Sequence, residues 1–250
     1  TFDTNASGTA NGSFEVIGLA MLGSATTVTT GSGAVTFDST VDGGQALTIN
    51  STGATTFSAA VGSGTALTSL TTNSSGTTNI NGGSVRTTGF QSYGDNVSLG
   101  ADTTLTSTGG GNISFNGTVN GAKALTVNTS GTSTFGGIVG GGTALTSLTT
   151  NSGGTTAING GSVTTTGSQI YNDAVTLGAN TILTSTGSGN ITLGSTVDGA
   201  HDLAINTAGT STLGGAVGGS TALTSLTTNS GGTTNINGGS ITTTGNQSYG

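Results

Sequence analysis

The chain has 250 residues, of which 49 are Gly and only 4% are charged, whereas about a quarter of an ordinary soluble domain is charged. It contains no Pro, Cys or Trp, and its formal net charge is −7. Without Cys there is no disulfide framework and no thiol chemistry. Two basic residues cannot form the positive surface that nucleic acid requires, so we expect no nucleic-acid partner.

Two further classes of protein are excluded by the apolar content. Hydrophobic residues make up 30% of the chain, and disordered chains usually combine low hydrophobicity with high net charge or abundant Pro. The most apolar run covers only residues 16–22, whereas a membrane-spanning helix needs about 18 or more apolar residues. We therefore expect an ordered chain that does not insert into a membrane.

The chain begins with a segment unlike the rest and continues as a repeat. Residues 1–23 form a divergent coil within a single unit that spans 1–250. From about residue 27 a 78-residue unit recurs, over 27–104, 105–182 and the incomplete 183–250. Internal repetition at a fixed period indicates an architecture of stacked, similar structural units.

Each 78-residue unit divides again into shorter sub-repeats. Leu105 and Leu125 lead successive sub-repeats, and each is followed by Phe at +10 and Val at +14. Four such sub-repeats would fill one unit. One of the four is shorter, and either Leu145 or Leu148 could lead it. The Asn151 position, which follows Leu148 at the same offset as Asn128 follows Leu125, favours Leu148.

The local pattern predicts β-strands that stack as a solenoid. In residues 112–115 and 125–128, apolar and polar side chains alternate with the period of a strand. Gly-rich breaks separate these strands, and a strand–turn–strand unit of roughly 20 residues buries its apolar face only by stacking on copies. The fold class is therefore all-β, a parallel β-helix that we expect to be right-handed. It would have about 20 residues per coil and roughly 13 coils.

The stretch LTSTGGGNISFNGTVNGAKALTVNTSGTSTFGG, from Leu105 to Gly137, resembles repeats of the filamentous-haemagglutinin-like adhesins. These large Gram-negative surface proteins are secreted by the two-partner route. The resemblance implies a β-helical shaft outside the cell, at the bacterial surface. Its partners would be neighbouring coils of the same or other chains, together with glycans on host or neighbouring cells. No functional residue of the family can be carried over.

Residues that could carry chemistry are few, and we expect no catalytic, cofactor-binding or metal site. His201, Lys123 and Gln45 occupy the same position of the repeat, so a variable exposed residue explains them better than a catalytic one. The nine acidic residues have no recurrent basic partner. Calcium could bind incidentally at Asp38 and Asp42, because carboxylate oxygens suit hard cations.

Three tyrosines, Tyr93, Tyr171 and Tyr249, recur once per unit. They could form a surface row that stacks against sugars, or they could fill the coil where Phe or Ile sits elsewhere. Regular Thr rows on a flat face could bind ice, although the Thr positions drift between sub-repeats of unequal length. Glycan or ice binding is therefore an alternative function.

The first functional hypothesis is structural: a non-catalytic shaft of an adhesin or cell-surface filament that mediates attachment or cell–cell contact. The chain stops at residue 250 partway through a sub-repeat, and no capping segment closes it. We therefore expect either a longer native chain or a self-stacking subunit of a homopolymeric extracellular fibre.

Overall fold

The computed structural model describes residues 2–3, 5–6, 10–73 and 75–250. These residues wind as a parallel β-solenoid of about 11 coils with about 21 residues per coil, so the all-β parallel solenoid is confirmed. A short antiparallel pair, Asn5–Ala6 with Ala10–Asn11, departs from the parallel pattern. The described residues contain no helix long and apolar enough to cross a membrane.

Each coil has three sides, and strands on the same side of successive coils pair to form one face of the solenoid. Face 1 contains Phe2–Asp3, Thr26–Gly31, Ala46–Ser51, Ser69–Thr72, Gln91–Tyr93, Ile113–Phe115, Thr132–Phe135, Thr155–Ile158, Ala174–Leu177 and Val197–Asp198. Face 2 contains Phe14–Val16, Val35–Phe37, Ala54–Phe57, Thr77–Ile80, Asn96–Leu99, Val119–Asn120, Ser162–Thr165, Thr181–Ser185, Asp202–Asn206, Ser225–Thr228 and Gln247–Tyr249. Face 3 contains Ala20–Met21, Val41–Asp42, Ser84–Thr87, Thr103–Ser107, Ala124–Thr129, Ser147–Thr150, Gln169–Tyr171, Ile191–Leu193, Thr210–Leu213 and Thr233–Ile236. Isolated bridges through Val61, Val139 and Val217 continue the faces where a strand is missing.

The core is a set of side-chain stacks that run along the solenoid axis. On face 1, the rings of Tyr93, Phe115 and Phe135 stack in order, with centroids 5.3 and 5.4 Å apart. On face 2, Phe37 stacks on Phe57 at 5.6 Å. Alternation explains these stacks, because every second residue of a strand points inward and the parallel register places like residues above one another.

Coils differ in length, yet the strands stay in register. Phe115 pairs with Phe135, whereas Leu125 pairs with Leu148, which is a longer step along the chain. The choice of Leu148 as the ladder partner is confirmed, although Leu145 is buried as well. The expected coil length of about 20 residues was slightly short, and 13 coils slightly too many, because the corners hold extra residues.

The 78-residue unit does not close on a whole number of coils. Counting onward from Gln91–Tyr93, the eleventh side of the solenoid is Gln169–Tyr171. Since each coil has three sides, one unit covers three and two-thirds coils rather than the expected four. Copies of one residue therefore lie on different faces. At about 4.8 Å per coil, one unit advances roughly 18 Å along the axis.

Glycine is required where one coil lies directly against the next. At Gly82, an added Cβ would lie 1.9 Å from the carbonyl carbon of Ala59 in the preceding coil. Backbone cannot yield to that contact as a flexible side chain can. At Gly219, the nearest atom to an added Cβ is the Ala216 Cβ at 3.5 Å, an ordinary contact.

We predict that Gly82→Ala destabilises the solenoid by about 1–3 kcal/mol, because the methyl group forces two coils apart. The matched variant Gly219→Ala should change the free energy of unfolding by less than about 0.5 kcal/mol. Urea unfolding followed by circular dichroism measures both. Equal stability of the two variants would contradict the close coil-to-coil contact at Gly82.

Candidate functional site

The recurrent tyrosines belong to a buried polar pair. The Tyr93 hydroxyl donates to Gln91 Oε1 at 2.9 Å, and the Gln91 amide Nε2 donates to the backbone oxygens of Val85 and Thr106 at 3.2 and 3.1 Å. Both Tyr93 and Gln91 are fully buried, and burial raises the pKa of the Tyr93 phenol. The pair therefore fastens one side of a coil to another inside the solenoid.

The three tyrosines do not form a surface row. Tyr93 lies on face 1, Tyr171 on face 3 and Tyr249 on face 2, since the unit covers a fractional number of coils. Tyr93 and Tyr171 have no exposed surface, and Tyr249, in the last coil described, is 42% exposed. The surface-row prediction is corrected accordingly, and the packing interpretation matches the structure, because Tyr93 lies directly against Phe115 in the core stack.

Aligned acidic and amide residues hold the turn of the next coil. Asp42 Oδ1 accepts backbone N–H groups from Gly64 and Thr65 at 2.8 and 3.0 Å. Asn120 and Asp198 accept equivalent pairs from residues 142–143 and 220–221. One acceptor oxygen suffices for this task, which explains why Asp and Asn exchange at this position of the repeat.

The remaining candidate residues lie apart from one another. Asp38 accepts from the Ser58 hydroxyl at 3.3 Å. Among the described residues, no group of three or more His, Cys, Asp or Glu could hold a metal ion, so calcium at Asp38 and Asp42 stays a prediction. Lys123 and His201 occupy equivalent turns, where each backbone oxygen accepts an N–H from the next coil at 2.9–3.0 Å.

Asp95 and Asp173 are buried carboxylates, 1% and 2% exposed. Asp95 accepts the Gly76 N–H at 2.8 Å and the Thr78 hydroxyl at 3.1 Å, and Asp173 repeats this arrangement. Loss of water around each carboxylate raises its pKa, and the two hydrogen bonds only partly offset that rise. Their alignment was visible in the sequence, but their burial was not, because acidic residues are rarely buried without a partner.

Outward hydroxyl groups form a continuous column on face 1. Paired positions on successive coils carry hydroxyl side chains at Thr27, Thr48, Thr71, Ser92, Ser114 and Thr134. Along this stretch of face 1 the predicted drift of Thr positions does not occur, because the corners absorb the length differences, and the column ends where Thr134 pairs with Ala157. Polar side chains at the corners bond to neighbouring coils. By contrast, the hydroxyls from Thr48 to Thr134 have no partner within the described part of the chain.

An open groove of about 640 Å³ crosses this column at Ser92 and Ser114. Its walls include Phe90, whose side chain is 48% exposed, and the exposed Asn112. Residues 109–111, all Gly, form part of its lining. The groove was not predictable from the sequence, because nothing in the pattern of the repeat shows that the Phe90 ring is exposed.

We predict that the stability of the solenoid falls as pH rises from about 4 toward neutrality. The folded pKa of Asp95 and Asp173 lies above the ordinary value of 3.8, so within that window the folded chain binds more protons than the unfolded chain. Below the ordinary pKa both carboxyl groups are protonated in either state and do not lower the free energy of unfolding. Above the folded pKa both are charged, and the free energy of unfolding is lowered by the full amount.

Asp95→Asn combined with Asp173→Asn should flatten this pH dependence and make the chain more stable at pH 7. An Asn oxygen can still accept the Gly76 N–H, and its amide can donate to Thr78, whose hydroxyl already reaches Thr72 at 3.1 Å. Thermal unfolding between pH 4 and 8 measures the effect, and each single variant should remove part of it. If the double variant unfolded at a lower temperature than the original chain at pH 7, the two buried charges would not be destabilising, and the prediction would be wrong.

The chain matches no known protein family, no curated protein and no solved structure. What is established is a parallel β-solenoid of the kind found in β-helical repeat proteins generally. The resemblance of residues 105–137 to filamentous-haemagglutinin-like repeats rests on the style of the repeat, and the adhesin function stays a prediction.

Proposed function

We propose that this chain is a structural rod that serves as a shaft segment in a long extracellular adhesin or cell-surface filament and carries out no catalysis. The observation that supports this role most directly is the hydrogen-bonded ladder that continues on all three faces. Eleven coils at about 4.8 Å would span roughly 53 Å, and every additional 78-residue unit would add roughly 18 Å.

Bonds at the corners would add to the stiffness of such a shaft. The side-chain oxygens of Asn73, Asn151 and Asn229 accept backbone N–H groups from the preceding coil at 2.8–2.9 Å. Corners are therefore tied along the axis as the faces are. Bending the rod would stretch the ladder bonds on one face and the corner bonds beside it, and each bond that is broken leaves polar groups without a partner.

The extracellular location is inferred from composition and resemblance. A chain with only 4% charged residues presents a sparsely charged, hydroxyl-rich surface, and the repeat style resembles that of Gram-negative surface adhesins. Partners would then be neighbouring solenoid coils of the same or other chains and glycans of the opposing cell. No polyanionic partner fits a rod with two basic residues.

Two alternatives concern the same rod. It could be a self-stacking subunit of a homopolymeric fibre, whose coils pair with those of the next copy. It could also be a binding module for glycan or ice, and the unpartnered hydroxyl column on face 1 favours this second candidate. Ice binding stays a prediction. For glycan binding, the groove at Phe90, Ser92 and Ser114 is the candidate location.

The shaft proposal predicts that the native protein is exposed on intact cells. Antibodies raised against this chain should label unpermeabilised source cells, and brief protease treatment of those cells should remove the label. The denatured native chain should be many times heavier than the present sequence. Labelling that requires permeabilisation would overturn the proposal, and a cell-surface chain close in mass to the present sequence would support the self-stacking fibre instead.

A further inference from the structure

Phe90 is exposed at a position where the repeat shows that no aromatic ring is needed. Phe90 is 48% exposed, and its counterparts in the other units are Ser168 and Asn246. All three residues use their backbone oxygen alike, accepting an N–H from the preceding coil at 3.1–3.2 Å. The fold therefore tolerates a small polar side chain here, and the exposed ring requires another explanation.

The groove beside Phe90 has a rigid floor made of backbone. At Gly111, an added Cβ would lie 2.4 Å from the Phe90 nitrogen, so there is no room for a side chain between the two coils. The hydroxyls of Thr87 and Ser107 both donate to the Gly89 oxygen, at 2.7 and 2.8 Å. The ring is therefore presented on a fixed corner, and a ligand could bind without ordering a loop.

Unused hydrogen-bonding groups surround the ring. Ser92 and Ser114 pair directly on face 1, and neither hydroxyl has a partner among the residues that the structure describes. The Asn112 oxygen accepts the Thr132 N–H at 2.9 Å, which leaves the amide Nδ2 available to donate. No charged side chain lines the groove, so its chemistry is one aromatic surface with uncharged donors and acceptors.

We propose that this groove is a binding subsite for a neutral saccharide. One face of a pyranose ring consists of C–H groups and packs on an aromatic ring, while its hydroxyl rim requires hydrogen bonds. Phe90 supplies the stacking surface, and Ser92, Ser114 and Asn112 supply the hydrogen bonds. A volume of about 640 Å³ lies in the range of small-ligand sites, about 300–1,000 Å³.

The subsite gives the binding-module candidate a specific location and ligand class. It does not depend on the rod being a shaft at a cell surface, because the isolated chain should bind saccharide wherever the native protein resides. Anionic saccharides are poor candidates, since the chain has only two basic residues and neither Arg86 nor Lys123 lines the groove.

The equivalent surface 78 residues further along the chain provides a matched control within the same molecule. It keeps the groove backbone, with Gly167 and Gly189 in place of Gly89 and Gly111, and the Asn190 oxygen accepts an N–H at 2.9 Å as Asn112 does. Ser168, Ile170 and Ser188 stand where the groove has Phe90, Ser92 and Gly110, whereas Thr192 keeps the hydroxyl of Ser114. The equivalent surface therefore lacks the ring and one hydroxyl. Phe90→Ser therefore installs a residue that the fold already accepts.

The test titrates the full chain, carrying ¹³C-labelled Phe rings, with cellohexaose, maltohexaose and mannohexaose while the aromatic NMR signals are recorded. At least one hexasaccharide should shift one ring signal, the signal that disappears in Phe90→Ser. Phe90→Ser should weaken binding at least tenfold with unchanged thermal stability. Ser168→Phe combined with Ile170→Ser and Ser188→Gly should add a second site, and trigalacturonate should shift nothing.

Two results would overturn the proposal. One is that none of the three neutral hexasaccharides shifts the Phe90 signal, and the other is that Phe90→Ser binds them as tightly as the original chain. If Phe90→Ser instead reduces self-association in sedimentation velocity while saccharides cause no shift, the exposed ring is a contact between copies of the chain.

Discussion

The parallel hydrogen-bond ladder between successive coils is the interaction on which the rest of this structure depends. Each strand has only two to six residues and could not hold a conformation alone. Pairing with the coils on either side satisfies its backbone and fixes which side chains point inward. The stacks that follow, such as Tyr93, Phe115 and Phe135, exist because the ladder keeps like positions above one another.

A fixed ladder combined with variable corners determines how the repeat is displayed. Successive coils differ in length, but the extra residues lie in turns, so the strands remain aligned. A 78-residue unit covers eleven sides, and each coil has three. Eleven is not a multiple of three, so each feature of the repeat lies on another face in the next unit. A feature that occurs in one copy, such as Phe90, therefore belongs to a single face and height of the rod.

Much of the fold was predictable from the sequence, whereas the candidate groove was not. Alternation in residues 112–115 and 125–128 and the recurrent Phe115 and Phe135 predicted strands and stacks. The three-sided cross-section was not predictable, because the spacing of the sub-repeats does not reveal how many corners a coil has. Asp is usually exposed and Phe usually buried, whereas here Asp95 is buried and Phe90 is exposed. Only the three-dimensional arrangement shows these two exceptions.

Spin labels on paired residues test the ladder register most directly, and the absence of Cys makes labelling simple. In the structure Thr126 pairs with Thr149, about 4.8 Å away in the next coil. Nitroxides at Thr126→Cys and Thr149→Cys should give a strongly broadened spectrum, and labels at Thr126→Cys and Thr146→Cys a much less broadened one. Strong broadening in the second pair alone would mean coils of uniform length and would contradict this register.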